Sequence, residues 1–319
     1  MGKSFSKFVS QVRRKENQAS EILPESLNSF KTSKSSQLPE GFNWLDGRGF
    51  KPGMSASYPL PGDELEIYRL NVLHYNIRYV CVGLGLDMAG RGDDEYIFDG
   101  CGTGIWCIDL ATTYPKSTFT GTDITDVFRD NVVKAPSNVH FKVNDTRKGL
   151  PFKDGEFDFV YERFQCACYK VAEWPDIIKE LARRDAIETP GTVLNSGPNA
   201  TMIMNDKLDK MMKLRGIDMH YIYKLKEPLE AAGIVNLQIG YRSMPIGWGP
   251  EELQKPTITS FMTSLRALRP QMTVSLGLSD EEYDEMVDNV EDVELKTHKT
   301  FINFTYYCGR KPVAVTTEG

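Results

Sequence analysis

The chain has 319 residues, 38 of them basic and 44 acidic for a formal net charge of −6, an ordinary globular composition with enough length for one large α/β domain or two small ones. No stretch approaches the roughly 18 consecutive apolar residues of a membrane span, which argues against a transmembrane protein, and the acidic balance argues against nucleic acid as a partner. Six cysteines with no Cys-x-x-Cys pair, and histidines at 74, 140, 220 and 298 that never fall three or four apart, predict no disulfide framework, no metal and a reducing intracellular setting.

Residues 1–40 are rich in Ser, Lys and Gln and too poor in hydrophobics to offset the entropy of ordering, so a disordered tail is expected. Its first fifteen residues carry Lys3, Lys7, Arg13, Arg14 and Lys15 with no acid, and Phe5, Phe8, Val9 and Val12 make one apolar helical stripe. The start, with Gly2 and Ser6, also fits the N-myristoylation pattern. Two readings stand: a plain solvated tail on a cytoplasmic protein, or peripheral membrane contact through residues 1–15 with an acyl chain on Gly2.

From Asp63 to Val80, apolar residues at Leu65, Tyr68, Val72, Tyr75 and Tyr79, with a second row at Leu73, Ile77 and Val80, predict an amphipathic helix after a Gly- and Pro-rich loop. Strands follow at 96–98, 119–124, 139–143, 157–162 and 192–196, separated by helical or turn segments. This alternation predicts a mostly parallel sheet covered on both faces. Residues 204–232 read as helical, 234–244 as a strand, 251–296 as helices and 300–309 as a last strand. The roughly 50 residues between the last two strands exceed any hairpin loop, and must form a helical layer or a lid.

The chemistry concentrates at three successive strand ends. A buried strand runs into Asp99-Gly100-Cys101-Gly102-Thr103-Gly104 and then a helix, and glycines at that junction let the backbone approach a ligand across the strand end. A dinucleotide fingerprint needs glycine where Ile105 stands, so a nucleoside without a pyrophosphate fits better than NAD. Asp123, at the end of the next strand, is placed to accept hydrogen bonds from a ribose diol. Asn144, Asp145 and Thr146 follow the third strand, where a carboxylate can receive the exocyclic amine of adenine.

From about residue 42 to 313 the chain resembles a class I S-adenosylmethionine-dependent methyltransferase, and more narrowly the LaeA-like group of fungal methyltransferases. The resemblance rests on YPLPGDELEIYRLNVLHY, DGCGTGIWCIDLA, GTDIT, AEWPDIIKEL and FINFTYYCGRKP; Arg69-Leu70, His74 and Trp174-Pro175 are its discriminating positions. It implies a doubly wound, seven-stranded Rossmann-like sheet with the last strand antiparallel. The chain then divides into a tail (1–40), a loop and cap helix (41–90), a methyltransferase domain (91–313) and a tail (314–319). An N-terminal helical cap and a helical insertion at about 250–298 would close over the strand ends and define the acceptor pocket.

The implied cofactor is S-adenosyl-L-methionine. Gly100, Gly102 and Gly104 are expected at its methionine part, Asp123 at the ribose, and Asp145 and Thr146 at the adenine, with Asp99, Cys101 and Ile124 also among the cofactor-binding residues and Arg163 beside the methionine moiety or the acceptor. The family's acid normally stands two positions before the first glycine; here Phe98 holds that place and Asp99 lies one residue closer. The usual Pro-Gly-Gly reads Pro190-Gly191-Thr192, and Asn195-Ser196 replaces a common acid.

Methyl transfer needs no obligatory catalytic residue. Tyr58, His74, Tyr161 and His220 are the candidates for a general base or acceptor contact, each with packing as the competing role. Cys101 reads as a small residue tolerated in the turn rather than a nucleophile. Two functions remain: methyl transfer to a small metabolite or a protein, or a methyltransferase-like regulatory module working through protein partners, with the shifted acid as its sign.

Overall fold

The computed structural model describes residues 43–50, 59–81, 93–181, 184–188 and 191–311, with backbone alone at Asp130 and 184–188. The expected tail with Gly2, the loop residue Tyr58 and residues 314–319 lie outside this set.

A hairpin of β1 (Asn43–Leu45) and β2 (Arg48–Phe50) precedes α1 (Glu64–Val80). Asp63 joins the two. Its carboxylate accepts the Glu66 N–H at 3.0 Å, capping the helix, and receives Arg48 through Nε at 2.6 Å and Nη2 at 2.8 Å.

Then come β3 (Glu95–Asp99), α2 (Ile105–Thr113), β4 (Thr118–Asp123), α3 (Arg129–Val132), β5 (Val139–Val143), β6 (Phe159–Arg163), α4 (Trp174–Glu180) and β7 (Arg184–Glu188). The five strands are parallel in the order β5-β4-β3-β6-β7. Chain order reverses on either side of β3, so the crevice beyond the carboxyl end of β3 is a topological switch point. Tyr96, Ile97 and Phe98 of β3 are all buried, as expected of a strand covered on both faces, and Trp106 of α2 stacks on Tyr161 of β6 with ring centroids 4.6 Å apart.

The remainder contains β8 (Val193–Leu194), α5 (Pro198–Ala200), a π-helical stretch (Thr201–Leu208), α6 (Asp209–Leu214), α7 (Lys226–Ala231), β9 (Val235–Pro245), α8 (Glu251–Leu276), α9 (Asp280–Asn289) and β10 (Phe301–Arg310). β10 runs antiparallel to β7 and β8 on one side and to β9 on the other. Among the described residues the sheet therefore has eight strands, where seven were expected. The strand expected at 192–196 contributes only Val193 and Leu194, and Arg184–Glu188 takes the place beside β6. β8 follows Gly191, which sits at φ +71°, a left-handed conformation outside the strand range.

The segment 250–298 is helical as expected, but none of its described residues lines the cleft at the carboxyl end of β3. It braces α1 and the hairpin instead: the Gln271 side chain donates to the Pro59 carbonyl, and Arg269 pairs with Asp46 and Asp284. Buried Glu294 ties the same segment to α5 by accepting the N–H groups of Asn199 at 2.7 Å and Ala200 at 3.0 Å. Glu294→Ala leaves both donors without their acceptor, so a loss of about 2 kcal/mol in chemical denaturation is expected. Among the described residues no helix is long and apolar enough to cross a membrane.

Candidate functional site

A cleft opens at the switch point. Its floor is the turn after β3, where Gly100 and Gly102 adopt φ +65° and +55°. A Cβ on Gly100 would overlap the Gln165 amide, whereas one on Gly102 would meet only Leu70 of α1, at 3.8 Å. The Gly102 N–H donates to Asp123 Oδ2 at 2.8 Å, while Asp123 Oδ1 accepts the Thr125 N–H at 3.0 Å and its hydroxyl at 3.2 Å. Burial raises the Asp123 carboxyl above its usual range, opposed by these hydrogen bonds.

Gly100, Cys101, Gly102, Asp123, Ile124, Asp145, Thr146 and Arg163 all line this cleft, as the sequence led us to expect. Asp145 is held by Arg147, whose Nε and Nη2 reach it at 2.8 and 3.0 Å, and that pairing holds its carboxyl below the usual value.

Two expected cofactor residues are placed elsewhere. Gly104 caps α2, and a Cβ there would overlap the Phe141 ring. Asp99 is fully buried beneath the floor, where Oδ1 accepts the hydroxyls of Thr122 and Thr146 at 2.7 Å each and Oδ2 accepts Tyr169 at 3.4 Å. Asp99 thus anchors the floor from beneath, one residue closer to the turn than Phe98.

The expected substrate contacts also move. Tyr161 packs in the core against Trp106. His220 lies away from the cleft, with Nδ1 3.1 Å from Asp209. Buried His74 sits behind the cleft wall between Asp109 and Arg163.

The expected cap helix, α1, supplies one wall of the cleft. Glu66, Leu70 and Leu73, one helical face at i, i+4 and i+7, line the cleft with Pro61 and Gly62, and Thr103 donates to Asn71 Oδ1 at 2.7 Å. Counting apolar residues passed over Glu66 because Arg69 neutralises it through two bonds of 2.8 and 2.6 Å within the helix. Gln165 and Tyr169, from the segment after β6, complete the far side.

Burial pushes the Cys101 thiol well above its usual range, with the Asp123 carboxylate adding to the shift, and raises Cys81 to about 11. The buried thiols Cys81, Cys101, Cys107 and Cys166 are therefore expected to resist Ellman's reagent at pH 8 in the native protein, leaving Cys168 and Cys308 as the fast fraction. Six titratable thiols should appear on denaturation.

This arrangement of glycine turn, second-strand acid and third-strand Asp-Thr on a doubly wound sheet resembles that of a class I methyltransferase domain. Residues 99–184 match the methyltransferase domain family. More narrowly, the chain resembles LaeA. It is 31% identical over 157 residues to the secondary metabolism regulator laeA of Aspergillus flavus, covering 49% of this chain and 41% of that protein. It is also 31% identical over 134 residues to the protein-methionine methyltransferase laeA of Emericella nidulans, covering 42% and 34%. The chain thus spans about two fifths of the length of these relatives. Among solved structures, phosphoethanolamine N-methyltransferase 2 of Haemonchus contortus aligns over 78% of this chain and 57% of its own at 14% identity and a TM-score of 0.47.

The cofactor of this class is S-adenosylmethionine, and the residues present fit it. The turn leaves open space over Gly102, the half-buried Asp123 carboxylate keeps acceptor capacity at the cleft, and Arg163 brings a cation to the wall.

Proposed function

We propose that this chain is an S-adenosylmethionine-dependent methyltransferase acting on a small-molecule or protein acceptor. The observation that carries this reading is the convergence of the Gly100–Gly102 turn, Asp123 and the Asp145-Thr146 pair on one cleft at the switch point. Asp123 would take the ribose hydroxyls, Asp145 and Ile124 the adenine, and the turn with Arg163 the methionine part. Bound, the cofactor supplies an activated methyl group. The protein has to hold a nucleophile about 3 Å from it, in line and away from water.

With His74, Tyr161 and His220 placed off the cleft, and the lining Tyr169 hydroxyl directed to Asp99, the described wall offers no histidine or uncommitted tyrosine as a general base. Catalysis here rests on positioning and desolvation. In this reading α1 is the cap that shapes the acceptor side, and 250–298 is its buttress rather than a lid.

The burial of Asp99 favours a second reading, a methyltransferase-like regulatory module that binds the cofactor weakly and works through protein partners. Calorimetric titration with S-adenosylmethionine and S-adenosylhomocysteine, followed by transfer of labelled methyl to metabolite and protein pools, separates the two. Micromolar binding with transfer supports the enzyme, binding without transfer supports the module, and no binding overturns the first reading.

A further inference from the structure

Arg163 is held in an unusual way for a cation at a cleft. Among the described residues no carboxylate pairs with it. Its guanidinium lies over the rings of Phe98 and Phe164, 5.6 and 5.3 Å from their centroids, and Nη1 lies 3.5 Å from Nδ1 of His74. Phe164 sits at φ +61°, a left-handed conformation that bulky residues rarely enter, and its ring flanks Arg163 from there.

The partners of His74 settle its proton. Nε2 is 3.1 Å from Asp109 Oδ2, a fully buried carboxylate that also pairs with Arg78. A carboxylate accepts and a guanidinium donates, so the ring between them is neutral, with its proton on Nε2 toward Asp109 and a lone pair on Nδ1 toward Arg163. One Arg163 N–H is committed to that lone pair. The planar fork keeps further donors for a ligand, in the geometry that matches a carboxylate.

We propose that His74 is a positioning residue. Fixed by Asp109, it holds Arg163 in the cleft wall to bind the terminal carboxylate of the cofactor's methionine moiety. This inference rests on the methyltransferase reading and adds to it a buried relay, Arg78–Asp109–His74–Arg163, running from α1 and α2 to the end of β6.

The test compares two ligands on the full chain by calorimetry. S-adenosylhomocysteine carries the amino-acid carboxylate, and 5′-methylthioadenosine shares the adenosyl thioether without it. Arg163→Gln is expected to weaken S-adenosylhomocysteine by about 10- to 100-fold, the range for a hydrogen-bonded charge pair, with methylthioadenosine unchanged within about 3-fold. His74→Leu is expected to cost about 5-fold on S-adenosylhomocysteine alone, and His74→Asn, whose carbonyl oxygen replaces the Nδ1 acceptor, to restore most of it.

Equal losses for both ligands in His74→Leu, or no loss for either, would overturn the inference. On the wild-type chain, ring ¹⁵N shifts are expected to report the neutral Nε2–H tautomer of His74 at pH 7; a charged ring or the Nδ1–H form would overturn it without any substitution. Wild-type protein that binds neither ligand sinks the methyltransferase reading, and this inference with it, whereas binding of both with no preference for S-adenosylhomocysteine sinks the inference alone.

Discussion

Asp123→Ala is expected to lower the affinity for S-adenosylhomocysteine by about 100-fold or more, because the carboxylate serves two functions at once. It would accept the ribose hydroxyls, and it already holds the Gly102 N–H at 2.8 Å and the Thr125 N–H at 3.0 Å, which fixes the turn that forms the cleft floor. Alanine removes both. Asp123→Asn keeps the volume but offers one oxygen in place of two, so a loss nearer 10-fold is expected.

The pH dependence has a defined sign. Burial raises this carboxyl, so protonation begins at a higher pH than for an ordinary aspartate, and cofactor affinity falls as the pH drops through that raised value. The contribution to folding runs the other way. A native state that favours the protonated form loses stability as the pH rises from the unfolded carboxyl's value through the raised one. Titrations of wild type and Asp123→Asn across pH 4–8 check both statements, since the asparagine variant lacks the dependence.

Asp99→Ala is expected to act on the fold, in contrast with what its position beside the glycine turn suggests. Three hydroxyls, those of Thr122, Thr146 and Tyr169, converge on this fully buried carboxylate. Removing it strips all three of their acceptor in a site that water does not reach, at a cost of about 3 kcal/mol and a fall in Tm of roughly 4–6 °C. Asp99→Asn keeps one carbonyl acceptor at the same place, so about half that cost is expected, with S-adenosylhomocysteine affinity within about 5-fold of wild type. A selective loss of affinity in Asp99→Asn at unchanged Tm would show that the acid reaches the ligand after all.

The switch-point cleft was legible in the sequence because it is local. A strand, a glycine turn and an acid at the end of the next strand are written in consecutive residues, and Gly100, Gly102, Asp123, Asp145 and Thr146 lie where that pattern puts them. Asp99 was misplaced for a reason of geometry. Successive residues of a strand point to opposite faces, so moving the acid by one position turned it from the cleft into the packed layer beneath. α1 was legible as a cap helix, but the place of Glu66 in its wall was not: Glu66 is buried through its pairing with Arg69, and no apolar period reports such a pair. The fifth strand was placed too late because the break after Glu188 depends on which segment wins the edge of β6, a competition decided by tertiary pairing.

The two sides of the cleft come from different parts of the chain. The floor, from Gly100 to Arg163, falls within the stretch that methyltransferases share, whereas the Glu66, Leu70 and Leu73 wall precedes it in the chain and is braced by Gln271 and Arg269, which lie far beyond it. Substitutions along that wall are expected to alter the shape of that side of the cleft without disturbing Asp123 or the glycine turn. For the same reason, a fragment trimmed to the shared stretch would keep its glycine turn and lose half of the cleft around it.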